Sequence, residues 1–323
     1  MRPMSAQPRE PMSPDSTSSE LLATAVAAAR AGARVVAGYF RTEGLAIDRK
    51  AVNDYVSQAD RESEEAVVGE ILRRHPRHRI LAEEGGHRGG DGGDGGHQWI
   101  VDPLDGTTNF LQGLPVFCVS VAVRAGGGDG HGDAGRTLAG AILDPTRGDL
   151  FTASAGGGAR WNGRAMRVAG HGGLDGAFLA TGYPFKAKPA LDAYLAIFRD
   201  ALLAAKAIRR CGSAALDLAY TAAGIYDGFF ELRLSAWDLA AGALLVEEAG
   251  GRVSDLDGGG RYLAGGNVVA GGPGVHRELL AVARRHADEA TIDRLVPVDP
   301  PPEATVGAGS DDRETAAVEA TVG

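Results

Sequence analysis

The apolar positions of this chain follow two alternating rhythms. Helical spacing predicts a helix over residues 19–40, capped by Ser18 or Ser19, and a second over 61–75, where Ala66, Val67, Ile71 and Leu72 share a face. Short apolar runs bounded by Gly, Pro and acidic residues predict strands at 79–82, 98–101, 116–123 and 138–143. The second half repeats the mixture. Strands are expected near 150–152 and 177–181, helices at 189–205 and 213–223, a strand at 227–232, a helix at 237–249, a strand at 268–269 and a helix at 274–286. Helices and strands that interleave from end to end imply an α/β fold of sheets covered by helices, arranged as two lobes with a cleft between them. No repeat of solenoid length interrupts the pattern.

Between these elements lie segments without periodicity. Residues 85–96 and 125–135 are Gly-rich and read as loops, the second as an extended hairpin tip between two strands. Residues 1–18 are rich in Pro, Ser and Met, and 291–323 hold Pro300, Pro301 and Pro302 followed by small and acidic residues, so both ends read as disordered tails. One folded domain at 19–290 remains. His87 and His97 invite a metal reading, which is set aside because two His in a Gly-rich loop lack a fixed scaffold.

Composition narrows the function. With 323 residues, 44% of them hydrophobic, the chain can bury a substantial core. Its net charge of −9 and the lack of a Lys/Arg stripe argue against nucleic acid as a direct ligand. Cys118 and Cys211 have no C-x-x-C partner and read as reduced thiols of a cytoplasmic protein. Arg30 and Arg34 interrupt the apolar stretch 21–40, which reads as neither a membrane span nor a secretion signal.

The chemistry concentrates in the nonapeptide 102–110. Asp102, Pro103, Leu104, Asp105, Gly106, Thr107, Thr108, Asn109 and Phe110 follow the apolar run 99–101 and place two carboxylates at a tight turn. Gly106 lets the backbone approach a ligand, and a helix opening at Thr107 would turn free amides toward a phosphate. Taken singly, these residues are ordinary turn and capping residues. Asp238 at a helix start, Glu83 at a strand end and Asp60 before a helix have equally plain readings. Their convergence alters the weighing, because layered α/β folds gather ligand sites where strands end and helices begin. Hard oxygen donors without His or Cys suit Mg²⁺.

The chain resembles the inositol monophosphatase family of Mg²⁺-dependent sugar phosphatases. The resemblance rests on residues 102–110, on the run Trp237, Asp238, Leu239, Ala240, Ala241, Gly242, and on Ala82, Glu83, Glu84, with support from 50–60, 212–214 and 229–231. It covers roughly residues 19–288, and it implies an α-β-α-β-α layered sandwich that forms a homodimer and is inhibited by lithium. It further implies two or three Mg²⁺ ions, one held by Glu83, Asp102 and the Leu104 carbonyl, another by Asp102, Asp105 and Asp238. Thr107, supported by Asp60, would work with Glu83 on the attacking water. The amides of Gly106 and Thr107 would receive the phosphate, with Asp105 also bordering the substrate. Glu231 and the turn Gly212, Ser213, Ala214 would contact its hydroxyls. Ala82 stands where the family often has Gly, and Gly85 where Ser is common.

The expected activity is hydrolysis of a phosphate monoester, foremost myo-inositol 1-phosphate, without a phosphoenzyme. Thr108 favours inositol-type members, since relatives acting on 3′,5′-bisphosphonucleotides commonly carry Lys there. Fructose-1,6-bisphosphatase and histidinol-phosphate phosphatase are the enzymatic alternatives. A regulatory partner is the non-enzymatic alternative, since some bacterial relatives assist transcription complexes. A sugar-binding protein is the third reading.

Overall fold

The computed structural model describes residues 16–51, 54–90, 96–126, 135–185 and 187–296. In chain order the elements of the first half are α1 (Ser16–Tyr39), β1 (Ile47–Ala51), β2 (Asp54–Ser57), α2 (Gln58–Arg74), β3 (Arg79–Ala82), β4 (Gly86–Gly89), β5 (Gln98–Asp105), α3 (Thr107–Leu111), β6 (Cys118–Ala125) and β7 (Arg136–Asp144). The second half contributes β8 (Asp149–Ser154), β9 (Gly158–Trp161), β10 (Arg164–Ala165), β11 (Phe178–Thr181), α4 (Leu191–Ala204), β12 (Ala207–Arg209), α5 (Ala214–Ala222) and β13 (Gly228–Glu231). It ends with α6 (Ala236–Glu248), β14 (Arg252–Ser254), α7 (Tyr262–Gly265), β15 (Val268–Gly271), α8 (Pro273–Arg284) and α9 (Glu289–Leu295).

Two large sheets organise the chain. Eight strands run in the order β10-β9-β8-β7-β6-β5-β3-β4, five in the order β12-β11-β13-β15-β14, and β1 with β2 forms a separate hairpin. Strand alternation decides which helices each sheet face meets. Val119, Val121 and Val123 of β6 pack with α1 and α2, whereas Cys118 and Ala122 of the same strand pack with α5 and α6. In the small sheet, Phe229 of β13 joins the α5/α6 side while its neighbour Phe230 joins α4 and α8. The layers therefore run helices, eight-stranded sheet, helices, five-stranded sheet, helices. This is the α-β-α-β-α sandwich expected from the sequence. Apolar residues on both faces of β6 reflect a sheet covered on both sides.

The close approach of the middle helices depends on Gly242. A Cβ there would lie 2.5 Å from the Leu218 Cβ on α5, so no larger residue fits this contact unless α5 or α6 moves.

Several expectations need correction. Residues 85–96 are not one loop, because Gly86–Gly89 pairs antiparallel with β3; 91–95 lie outside the described residues. Glycines hide a strand from pattern reading, since a ladder held by backbone hydrogen bonds needs no side chains. Residues 16–18, read as part of a tail, instead belong to α1, which begins at Ser16. Residues 291–295, read as part of a tail, instead belong to α9, which Asp288 caps through the Thr291 amide and in which Ile292 is fully buried. Residues 1–15 and 297–323 lie outside the described residues, as do 127–134 of the second Gly-rich segment. A tight turn joins β9 to β10, with Asn162 and Gly163 both at positive φ.

His97 belongs to a packing cluster. Its ring stacks on His78 at 4.7 Å, and His78 accepts a hydrogen bond from the Trp99 indole at 3.1 Å. The helix α1 is long and apolar enough to cross a membrane by length and composition alone, and here it packs Leu21, Ala25, Ala28 and Val36 against the large sheet and α2.

Candidate active site

A single extra residue in β5 builds the acidic centre. The strand runs through Asp105, four residues beyond its predicted end at Val101. Its ladder with β6 is regular up to the pair Asp102 and Ser120 and resumes at Asp105 and Cys118, so three steps on β5 match two on β6. In a regular strand, residues three apart point to opposite faces; the bulge cancels that and turns both aspartates to one side. Pro103 falls within the bulge, where its missing N–H costs no ladder bond. The Leu104 amide donates to Asp102 Oδ1 at 3.0 Å, and Ser63 on α2 donates to the Pro103 carbonyl at 2.8 Å. Gly106 follows at φ +97°, and a Cβ there would lie 2.9 Å from the Val116 carbonyl.

Two helix starts meet this bulge from the other half of the chain. Asp105 Oδ2 accepts from Ser213 Oγ at 2.6 Å and from the Ala215 amide at 2.8 Å, both at the first turn of α5. Asp238, at the first turn of α6, accepts from the Ser235 amide at 2.7 Å. Carboxylate oxygens of Asp102, Asp105 and Asp238 thereby lie within 4.8 Å of one another. Asp102 and Asp105 are buried.

The electrostatics are those of a group waiting for positive charge. Burial, followed by repulsion from Glu83, Asp105 and Asp238, pushes the Asp102 carboxyl well above the ordinary range. Burial also raises Asp105 to about 6, despite the Ser213 and Ala215 bonds that favour its ionised form. No cation figures among the main influences on either acid. Three hard oxygen donors gathered together, two of them buried, fit a divalent ion such as Mg²⁺, whose charge would remove the repulsion.

Glu83 stands beside this group. Its carboxylate acts on Asp102 more strongly than Asp105 or Asp238 does, but it lies outside the close trio and faces Lys50 at 3.4 Å. Lys50 also contacts Glu84 at 2.5 Å. Thr107 opens α3, and its hydroxyl lies 2.9 Å from Asp60 Oδ1 and 3.0 Å from the Leu104 carbonyl. The hydroxyl is thus no helix cap. Asp60 is itself held by the Ser57 amide at 2.8 Å in a capping box at the start of α2. Cap and functional support are one residue, because its two oxygens serve different partners.

The substrate-facing residues of the sequence reading divide. Glu231, at the end of β13, occupies the space a side chain at Gly182 would need, and lies near Asp217 and Asp238. Burial, then these acids, raise its carboxyl well above the ordinary range, although the residue is only half-buried. Gly212 lies at φ +89°, and Asn109 binds the preceding Cys211 carbonyl at 2.9 Å, tying this turn to the nonapeptide. Ser213 is buried, and its hydroxyl is engaged by Asp105, which makes it a support of that acid; Ala214 is the first residue of α5.

Three residues of the site escaped the sequence reading. Lys50 had a signal, since it opens the quoted segment 50–60 ten residues before Asp60. Ser57 had one too, as a serine three residues before an acid at a helix start. Asp217 had none: it lies inside α5, buried, with Oδ1 lacking a hydrogen-bond partner and its carboxyl raised well above the ordinary range by burial and by Asp105. Cys118 and Cys211 are free thiols, Cys118 buried 3.8 Å from Asp105 Oδ2.

Known proteins are similar to this chain over most of its length. A protein named Nus factor SuhB, from Salmonella typhimurium, is 45% identical over 271 residues, covering 84% of this chain and 98% of its own. An inositol-1-monophosphatase from Mesorhizobium japonicum is 43% identical over 259 residues, covering 80% and 94%. The crystal structure of extragenic suppressor protein suhB from Bartonella henselae superposes with a TM-score of 0.76 at 39% identity, covering 83% of this chain and 100% of that one. The pattern that describes the inositol monophosphatase family matches residues 17–289, a span that contains every acid of the site. The chain belongs to the inositol monophosphatase family.

Proposed function

We propose that the protein is a Mg²⁺-dependent phosphate monoester hydrolase whose foremost substrate is myo-inositol 1-phosphate. The observation that carries this reading is the convergence of Asp102, Asp105 and Asp238 at the bulge of β5, next to the start of α3. Glu83, Asp102, the Leu104 carbonyl, Asp105 and Asp238 would hold the ions, which when bound stabilise charge on the phosphoryl oxygens and lower the pKa of water. Reorienting Glu83 from Lys50 toward the trio would complete that set.

The chain's own groups supply the rest. With its proton given to Asp60, Thr107 can only accept at its remaining lone pairs, which orients an attacking water with its oxygen free to reach phosphorus. Glu83, once turned from Lys50, would take the water's proton. The amides of Gly106 and Thr107 open α3 without helical partners and can receive the phosphate oxygens. No Ser or Cys nucleophile is required, and Cys118 is unsuited to the role because burial pushes its thiol well above the ordinary range.

A phosphate-release panel tests the reading. With Mg²⁺, inositol 1-phosphate, fructose 1,6-bisphosphate, histidinol phosphate and 3′-phosphoadenosine 5′-phosphate are compared, each with and without EDTA. Release from inositol 1-phosphate that EDTA abolishes is the expected result. Release unaffected by EDTA contradicts metal dependence, and a different preferred ester reassigns the substrate. The name of the Salmonella relative, Nus factor, supports a second reading in which the chain serves a transcription complex. No release from any ester would favour it.

A further inference from the structure

Two groups at the mouth of the site have hydrogen-bonding capacity that the catalytic geometry leaves unused. Arg210, between β12 and α5, is exposed, and its guanidinium carbon lies 5.2 Å from the centre of the Tyr183 ring and 5.3 Å from that of Phe185. It makes no hydrogen bond or salt bridge with the described residues. Glu231 likewise has no hydrogen-bond partner among them. Both border one short turn: Glu231 lies against Gly182, and Arg210 lies over the two aromatic rings that follow.

Arg210 also reaches toward the phosphate end. One guanidinium nitrogen is 2.6 Å from where a Cβ at Gly212 would sit, and the Gly212 carbonyl is 3.3 Å from the corresponding position at Gly106. The arginine therefore neighbours both the turn that adjoins the amides expected to receive the phosphate and the turn that Glu231 lies against. Two aromatic rings under a planar guanidinium limit its rotation, which reduces the entropy lost when its N–H groups engage a ligand.

We propose that Arg210 is a specificity-determining residue that, paired with Glu231 across the pocket mouth, grips neighbouring hydroxyls of a polyol phosphate. The proposal rests on the reading of the protein as a phosphate monoester hydrolase. A diol suits both partners at once, since one hydroxyl donates to Glu231 while its neighbour accepts from Arg210. A second phosphate suits only one of them. It would pair with Arg210 but meet Glu231, with Asp217 close behind, and both acids lie near enough to Arg210 to feel its charge. With one cation beside two carboxyls, this wall suits a monophosphate of a neutral polyol better than a bisphosphate.

The test uses the full chain with Mg²⁺ and compares it with Arg210→Met, which keeps a long chain over the rings without the donors, and with Arg210→Lys. Initial rates are measured on myo-inositol 1-phosphate and on p-nitrophenyl phosphate, which has no hydroxyl to grip. In Arg210→Met the ratio of kcat/KM for the inositol ester to that for the aryl ester falls about 10–100-fold, chiefly through KM, as expected for loss of a charged hydrogen bond. Arg210→Lys recovers part of the ratio. An unchanged ratio in Arg210→Met overturns the proposal, because a merely structural role lowers both rates together. Should the unaltered protein hydrolyse neither ester, the phosphatase reading fails separately and calorimetric titration with myo-inositol 1-phosphate decides. Binding weakened about 10–100-fold by Arg210→Met then sustains the role of Arg210. Equal binding, or none in either protein, overturns it.

Discussion

Asp102→Asn lowers kcat by about 10³-fold or more while the protein stays folded. Loss of one carboxylate charge from the proposed cation site would remove several kcal/mol of stabilisation from developing phosphoryl charge, and about 4 kcal/mol corresponds to that factor. Asparagine keeps the Oδ1 that accepts from the Leu104 amide, so the bulge retains its internal bond. The variant also separates catalysis from stability. In metal-stripped protein the folded state holds Asp102 and Asp105 with carboxyls raised above their ordinary value, 3.8, so between that value and the folded values it binds more protons than the unfolded chain. Stability of the stripped protein therefore falls as pH rises from about 4 through about 6, where Asp105 loses its proton, and onward as Asp102 ionises. Asp102→Asn removes one of the repelling charges. At pH 7 the stripped variant is more stable than the stripped wild type, and its pH slope is shallower. Phosphate release and urea unfolding across pH 4–8, both on the same preparations, check the two halves. A variant that keeps its activity, or a stripped wild type that gains stability toward pH 7, contradicts them.

Thr107→Val lowers kcat about 100-fold, within the range for loss of a group that positions a proton transfer, with little change in KM. Valine matches threonine in shape but leaves Asp60 Oδ1 without its side-chain partner. That loss costs about 1–3 kcal/mol of stability, because Asp60 is buried. Thr107→Ser restores the hydroxyl and most of kcat. Steady-state kinetics on inositol 1-phosphate distinguish this role from helix capping. A cap would lower stability alone, since the attacking water would still be aligned.

How much was legible in the chain follows from where the information resides. The acids of the nonapeptide and Asp238 were visible because chemistry, not packing, dictates them: a hydrophobic core has no use for three carboxylates beside small residues. Their convergence was also inferable, since strand ends and helix starts gather at one edge of a layered fold. The bulge was not. A one-residue shift in register depends on the partner strand β6, and no pattern within residues 98–105 announces it. Asp217 was hidden for the opposite reason, being an acid amid apolar positions of an ordinary helix. The strand β4 vanished into glycine, and α9 into a segment read as tail by its proline run, although the helix ends before Pro300. Arg210 and the aromatic turn 183–185 lie far apart in the chain. Only the fold put them together.

The account stands on one claim, that the acids at the β5 bulge form a divalent cation site. The direct test is thermal unfolding of EDTA-stripped protein at pH 7 during titration with Mg²⁺, in wild type and in Asp105→Asn. Ligand that binds only the folded state adds about 2.7 kcal/mol at 100 times its dissociation constant. Wild type is expected to show a saturable rise in Tm that Asp105→Asn loses or needs far more Mg²⁺ to reach. An equal rise in both proteins, or none in wild type, contradicts the claim.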